Sequence, residues 1–118
     1  MANKKAYYRK KADRAFQDWF TKENPICEIC GNETSCGHHF HTKGASSRLR
    51  YEADNIVSVC VGCHLSFHSK RAAEATSILI QKRGLDWANK LLIKKREYIK
   101  CDTIGYYREI ILKYTNND

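Results

Sequence analysis

The chain has 118 residues, enough for one small domain whose hydrophobic core would be thin. With 42% hydrophobic and 29% charged residues, one Pro and six Gly, its composition excludes a disordered or low-complexity chain. No apolar run of about 18 residues is present, which excludes a helical membrane span. A formal net charge of +8 and a pI near 9.3 favour a polyanionic partner, nucleic acid above all. Simple solubility, or an acidic protein partner, is the plainer alternative.

In chain order, residues 4–20 read as a helix. Tyr8, Ala12, Ala15, Phe16 and Trp19 recur at spacings of three and four, with Lys and Arg on the other faces. The same N-terminal stretch is basic but lacks an apolar segment, so it does not read as a signal peptide, and a cytoplasmic location is expected. Pro25 disfavours helix at Asn24 and turns the chain. The segment CEICGNE then reads as a knuckle, a tight turn presenting two thiols with Gly31 relaxing the backbone. A short strand is expected over 36–42 and a clearer one over 55–60, NIVSVC, with the loop KGASSRLRYEAD between them. One helix is expected from residue 62 or 63 to about 83, stopped by Gly84. Residues 85–99 form another helical stretch. A last helix opens near Thr103 as N-cap, with Ile104, Tyr107, Ile111 and Tyr114 on one face. The fold class is therefore α+β and mainly helical, in a single domain. Its parts are a basic N-terminal helix (1–24), a zinc-stapled hairpin-and-helix core (25–84) and C-terminal helices (85–118).

Six cysteines in a cytoplasmic chain are unlike three disulfides. Four fall into two Cys-x-x-C pairs, Cys27 with Cys30 and Cys60 with Cys63, a pattern that suits tetrahedral Zn²⁺. Two such turns can close one site that staples the hairpin and adds folding free energy to a thin core. With four thiolate ligands the ion has no open position, so its role is structural. A redox dithiol is the alternative. Cys36 is left over, an alternate zinc ligand that the unbroken pairs argue against, and Cys101 reads as a small buried hydrophobe.

The five histidines lie between and just after these pairs, in CGHHFHTKG and CHLSFH. His64 and His68 are four apart on the expected helix, so both rings project toward one point. Since four thiolates fill the zinc shell, these two read better as half of a second metal site than as idle surface histidines. His38 and His39, at the end of the first strand, would supply the other half: one ring on the metal, the other to take a proton from water. His41 would share the face of His39 on a strand, as the base or as a supporting partner.

These residues resemble the HNH, or ββα-metal, endonuclease motif: a His-His pair, Asn55, then His64 and His68. The steps from His39 to Asn55, to His64 and to His68 are sixteen, nine and four positions, close to those of the histidine-rich colicin-type nuclease domains. The flanking Cys pairs look like the zinc-stapled branch of the same superfamily. The resemblance implies a ββα-metal core with His39 as general base, His38, His64 and His68 as ligands of a catalytic divalent ion, and Asn55 as the brace that keeps the base oriented. A wider stretch, from ADRAFQDWF through GHHFHTKGASSRLRYEADNIVSVCVGC, resembles the phage NinG/Rap recombination nucleases. That resemblance implies branched DNA as substrate and the host cytoplasm as location. The chain departs from that family where the residue after the second Cys pair is often Asn, and here is His64.

Phosphodiester hydrolysis needs an activated water and neutralisation of charge on the phosphate and the leaving oxygen. A neutral imidazole with a pKa near operating pH can accept the proton from water, and one divalent ion can stabilise the charge. Imidazole ligands suit Mn²⁺, Ni²⁺, Co²⁺ or Zn²⁺ better than Mg²⁺, which stays open if phosphate and water complete its shell. Arg48, Arg50 and Lys43, on the loop before the second strand, are candidates for gripping DNA. The flanking aromatics (Tyr7, Tyr8, Phe16, Trp19, Trp87, Tyr98, Tyr106 and Tyr107) read as core, though they could stack on unpaired bases or build a homodimer face. The leading expectation is a metal-dependent DNA endonuclease. A non-catalytic zinc module that binds nucleic acid, or a small adaptor protein, are the alternatives.

Overall fold

A computed structural model describes residues 3–97 and 99–115. The expectation for Tyr98 lies outside the described residues. Helix α1 spans Lys4–Glu23. Asn3 caps it by accepting the Ala6 N–H at 3.1 Å, and the chain leaves it at Asn24, ahead of Pro25. Its buried stripe of Ala12, Ala15, Phe16 and Phe20 packs against the C-terminal helix α5, Ile104–Thr115, which buries Tyr107 and Ile110. Phe16 and Trp19 contact the ring of Tyr114 at 5.1 and 4.7 Å between centroids. The Thr103 hydroxyl accepts the Tyr106 N–H at the start of α5, as its position in the sequence led one to expect. Ile110, rather than Ile111, is the buried member of the next turn.

Between these helices and the rest runs a two-stranded antiparallel sheet. Strand β1, Cys36–His39, pairs with β2, Ile56–Val59, in the register Gly37↔Ser58 and His38↔Val57. All of β2 is buried, and alternation along it feeds two cores. Ile56 joins Phe16, Phe20, Tyr51 and Tyr107, while Val57 and Val59 join Cys27, Phe67, Ala75 and Leu79. The outer edge of β1 is covered by α1. The Gln17 amide donates to the Gly37 carbonyl and accepts the Gly37 N–H, both at 2.9 Å, as a neighbouring strand would. The approach is close enough that a Cβ at Gly37 would sit 2.6 Å from Ile56 Cγ2 and 2.9 Å from Phe20 Cδ1.

Three elements differ from expectation. The first strand stops at His39, so Phe40 and His41 belong to a loop. Asn55 closes a short 3-10 turn, Ala53–Asn55, rather than opening β2. The long helix expected over 62–83 is two helices, α2 (Val61–Phe67) and α3 (Ala72–Arg83). Ser69 explains the break: its hydroxyl donates to the Ser66 carbonyl and accepts the Arg71 N–H, offering the backbone bonds that compete with the helix. The chain can then double back, and α3 buries Ala75 and Leu79 in the second core. Arg83 fastens the end of α3 through a two-pronged ion pair with Glu28, both contacts at 2.6 Å, and stacks on Trp87 of α4, Leu85–Arg96. No helix among the described residues is long and apolar enough to cross a membrane.

Candidate functional site

Two clusters of ligand-type side chains meet at the start of α2. In the first, the sulfurs of Cys27, Cys30, Cys60 and Cys63 all lie within 4.8 Å of one another. Cys30 and Cys60 are 3.5 Å apart, close to the ~3.8 Å separating thiolates on one tetrahedral Zn²⁺. The geometry follows from two turns. Gly31, at φ 82°, closes the knuckle after Cys30, and its N–H donates to the Cys27 carbonyl. Cys60 is the N-cap of α2, its sulfur accepting the Cys63 N–H. Burial works against ionising Cys27, but backbone N–H groups of Cys30, Cys60 and Ile29 outweigh it and bring the thiol down to about 6. Four cysteines so arranged could hold a structural zinc, and Cys36 is not among them.

The second cluster is His38, His64 and His68, one ring nitrogen of each lying within 4.8 Å of the others. His38 comes from β1, His64 from the middle of α2 and His68 from its C-cap. The break after Phe67 therefore leaves the i,i+4 relationship intact, and the Nε2 atoms of His64 and His68 are 3.1 Å apart. The ring of His38 stacks on Phe67 at 4.5 Å and 20°, which fixes its plane. Burial, then the neighbouring rings of His64, His68 and His39, push His38 down to about 4. Burial and His68 also lower His64. Near pH 7 His38 and His64 are thus neutral, with a lone pair to offer a cation.

His39 lies beside this cluster without joining it. Successive strand residues point to opposite faces, so as His38 turns toward α2, His39 turns toward the loop. There its Nε2 is 2.9 Å from the Arg50 carbonyl oxygen. A carbonyl can only accept, so Nε2 carries the proton and Nδ1 the lone pair. Burial lowers its pKa, helped by the charges of Lys43 and Arg50 and opposed by the Arg50 carbonyl and Asp13. All four rings border one open cavity of about 460 Å³, together with Gln17, Cys36, Gly37, Thr42 and Lys43.

Asn55 is fully buried and works on the loop. Its side chain accepts the His41 N–H at 2.8 Å and donates to the carbonyls of His41 and Leu49 at 3.0 and 3.1 Å. With the strand ending at His39, His41 packs edge-on against Phe40 and does not border the cavity. Of the three loop cations expected to grip DNA, Lys43 borders the cavity and Arg48 and Arg50 do not. Arg48 reaches Glu52 and Glu97, and Arg50 is clamped by both oxygens of Asp13. Two contributors, Asp13 and Gln17, escaped the sequence reading, and a third, Cys36, was weighed there only against the zinc site. Asp13 and Gln17, four apart on one face of α1 and each next to a buried residue of its apolar stripe, look like ordinary solvated positions. Cys36, whose sulfur is 3.4 Å from His64 Nδ1, belongs to neither Cys pair and carries no spacing signal.

A protein-family model described as Bacteriophage Lambda NinG protein matches residues 1–117. No curated protein and no solved structure matches the chain. A match over nearly the whole length settles the kinship: the chain belongs to the NinG family.

Proposed function

We propose that the protein is a metal-dependent DNA endonuclease of the HNH type, acting in phage recombination on duplex or branched DNA. The observation that carries this reading is the pairing of three convergent imidazoles with a fourth, His39, which borders the same cavity while its Nε2 is engaged by the Arg50 carbonyl. The donor set fits one divalent cation. Three imidazole nitrogens within 4.8 Å leave positions open for substrate, as catalytic sites require, whereas the four cysteines would close theirs. Bound there, such an ion (Mg²⁺, Mn²⁺, Ni²⁺ or Zn²⁺) supplies a Lewis acid for a phosphate oxygen and for the departing 3′-oxygen.

The chain's own residues do the rest. His39 holds its proton on the Arg50 carbonyl and accepts the proton of a water at Nδ1. Asn55 keeps the loop that carries that carbonyl in place. Lys43 binds a phosphate beside the cavity, and the cations of α1 add salt-dependent backbone contacts. Membership of a phage family named for NinG supports a recombination role.

The test is cleavage of plasmid, linear duplex and a four-way junction with Mg²⁺, Mn²⁺, Ni²⁺ or EDTA, beside His39→Ala. Metal-dependent cuts that fall by orders of magnitude in the variant, with DNA binding retained, are expected. Binding without cleavage under any metal would make the protein a non-catalytic nucleic-acid module.

A further inference from the structure

Of the three clustered histidines, His64 is held from both sides. Its Nε2 faces the Nε2 of His68 at 3.1 Å, near the ~3.3 Å between imidazole nitrogens on one tetrahedral ion. Its Nδ1 faces the sulfur of Cys36 at 3.4 Å. A neutral imidazole carries one proton. If Nε2 is to turn a lone pair toward a cation shared with His38 and His68, the proton must sit on Nδ1, where Cys36 is the acceptor. Metal-bound histidines elsewhere commonly donate this second N–H to a carboxylate or a carbonyl, which fixes the tautomer and the ring orientation. Here a sulfur stands in that position.

Cys36 is well placed for the task. It starts β1 and pairs with Val59, the residue before Cys60, so its backbone is fixed against the strand that leads into α2. The contact with His64 therefore spans from the sheet to the helix, tying the two elements that supply His38 and His64. Cys36 also borders the cavity, and it stands apart from the four-thiol cluster.

We propose that Cys36 is a positioning residue of the histidine centre. Its sulfur accepts the Nδ1–H of His64, selects the tautomer that presents Nε2, and thereby sets the affinity of the site for a divalent cation. This rests on reading the histidines as cation ligands.

The experiment titrates Ni²⁺ into the zinc-loaded protein by calorimetry, for wild type, Cys36→Ala and Cys36→Ser, with zinc content and circular dichroism checked for each. Ring ¹⁵N shifts of His64 are read in the same samples. Wild type should bind one Ni²⁺ beyond its zinc, with His64 protonated at Nδ1. Cys36→Ala should weaken Ni²⁺ by about 10- to 100-fold and mix the tautomers. Cys36→Ser, whose hydroxyl can also accept, should recover most of the loss. Unchanged Ni²⁺ affinity in Cys36→Ala, or a wild-type His64 protonated at Nε2, overturns the proposal; the second result needs no variant to fold. A change in melting temperature with no change in Ni²⁺ affinity would mean a packing role alone and also overturns it. Wild type that binds no Ni²⁺ beyond its zinc removes the histidine-centre reading, and this inference with it.

Discussion

Asp13 grips Arg50 with both carboxylate oxygens, at 2.8 and 2.6 Å, and the carbonyl oxygen of that same arginine lies 2.9 Å from Nε2 of His39. The N-terminal helix is thereby linked to the ring proposed as general base. Asp13 also accepts the Tyr51 hydroxyl at 2.7 Å, so one carboxylate fixes two residues of the 48–52 turn. Both partners of the ion pair are mostly shielded, at 23% and 17% side-chain exposure. Asp13→Ala should cost about 1.5–3 kcal/mol in urea unfolding, the range for losing hydrogen bonds to a charged group. It should also lower cleavage by misplacing the Arg50 carbonyl. A cost below about 0.5 kcal/mol would show the clamp to be idle.

The same carboxylate predicts how stability responds to acid. Burial alone would raise the Asp13 pKa, but hydrogen bonds from Arg50 and Tyr51 and the charges of Arg50 and Lys43 outweigh it, so the pKa falls below its ordinary 3.8. A folded-state pKa below the unfolded one means that the stabilisation is complete above that ordinary value. It is lost as pH falls through the lower folded value. Urea midpoints of wild type and Asp13→Asn should therefore differ by a constant amount from pH 7 down to about 4 and converge below it. A gap that does not narrow at all as the pH falls below the ordinary 3.8 would assign the effect to shape rather than charge.

At Gly37, α1 and β2 both press closely on β1. A methyl there would meet Ile56 Cγ2 at 2.6 Å and Phe20 Cδ1 at 2.9 Å, both in the first core. Neither is the free end of a flexible chain, so α1 must lift or the strands must part. Gly37→Ala should cost about 1–3 kcal/mol and loosen the Gln17 clamp, which hydrogen exchange at the Gly37 amide position would report as faster opening. Unaltered stability and exchange would mean that the helix yields freely.

What the sequence disclosed was the chemistry with short-range spacing. The two Cys-x-x-C pairs and the i,i+4 histidines depend on one turn or one helical face, and local geometry decides those. The loop bonds of Asn55 were legible from its place beside the loop and from the motif resemblance that casts it as a brace. Less legible were features settled by competition or by distant partners. Ser69 splits a strongly helical-looking run because its hydroxyl competes for two backbone groups. Arg48 and Arg50 look like free loop cations until α1 brings Asp13, and the α4 end brings Glu97, against them. Cys36 gains its partner 28 positions away only when β1 docks on α2.

The cysteine cluster should matter to folding more than its size suggests. Cys60 caps α2, and Cys27 lies in the second core beside Val57, Val59 and Phe67. Removing the metal from such a site withdraws binding free energy that is also folding free energy. A zinc chelator, or Cys60→Ser, should lower the melting temperature by about 10 °C or more, since each kcal/mol shifts a domain this size by several degrees. The α1–α5 contacts among Phe16, Trp19 and Tyr114 should persist longest, observable as retained helical signal after near-ultraviolet ellipticity from the second core is lost. No change in melting on complete zinc removal would make the thiols incidental.

Of the three loop cations, Lys43 alone borders the histidine cavity, its ammonium 3.9 Å from Asp13 and 45% exposed. Arg48 is turned toward Glu52 and Glu97, so a phosphate would have to displace carboxylates to reach it. On the proposed reading, Lys43 meets the scissile backbone and Arg48 does not. Lys43→Ala should weaken DNA binding uniformly across sequences and reduce the slope of log affinity against log salt by about one. Arg48→Ala should leave that slope unchanged while losing some stability. Binding isotherms for one duplex at several salt concentrations decide between them: an unchanged slope in Lys43→Ala with a reduced one in Arg48→Ala would put the DNA path on the opposite side of the loop.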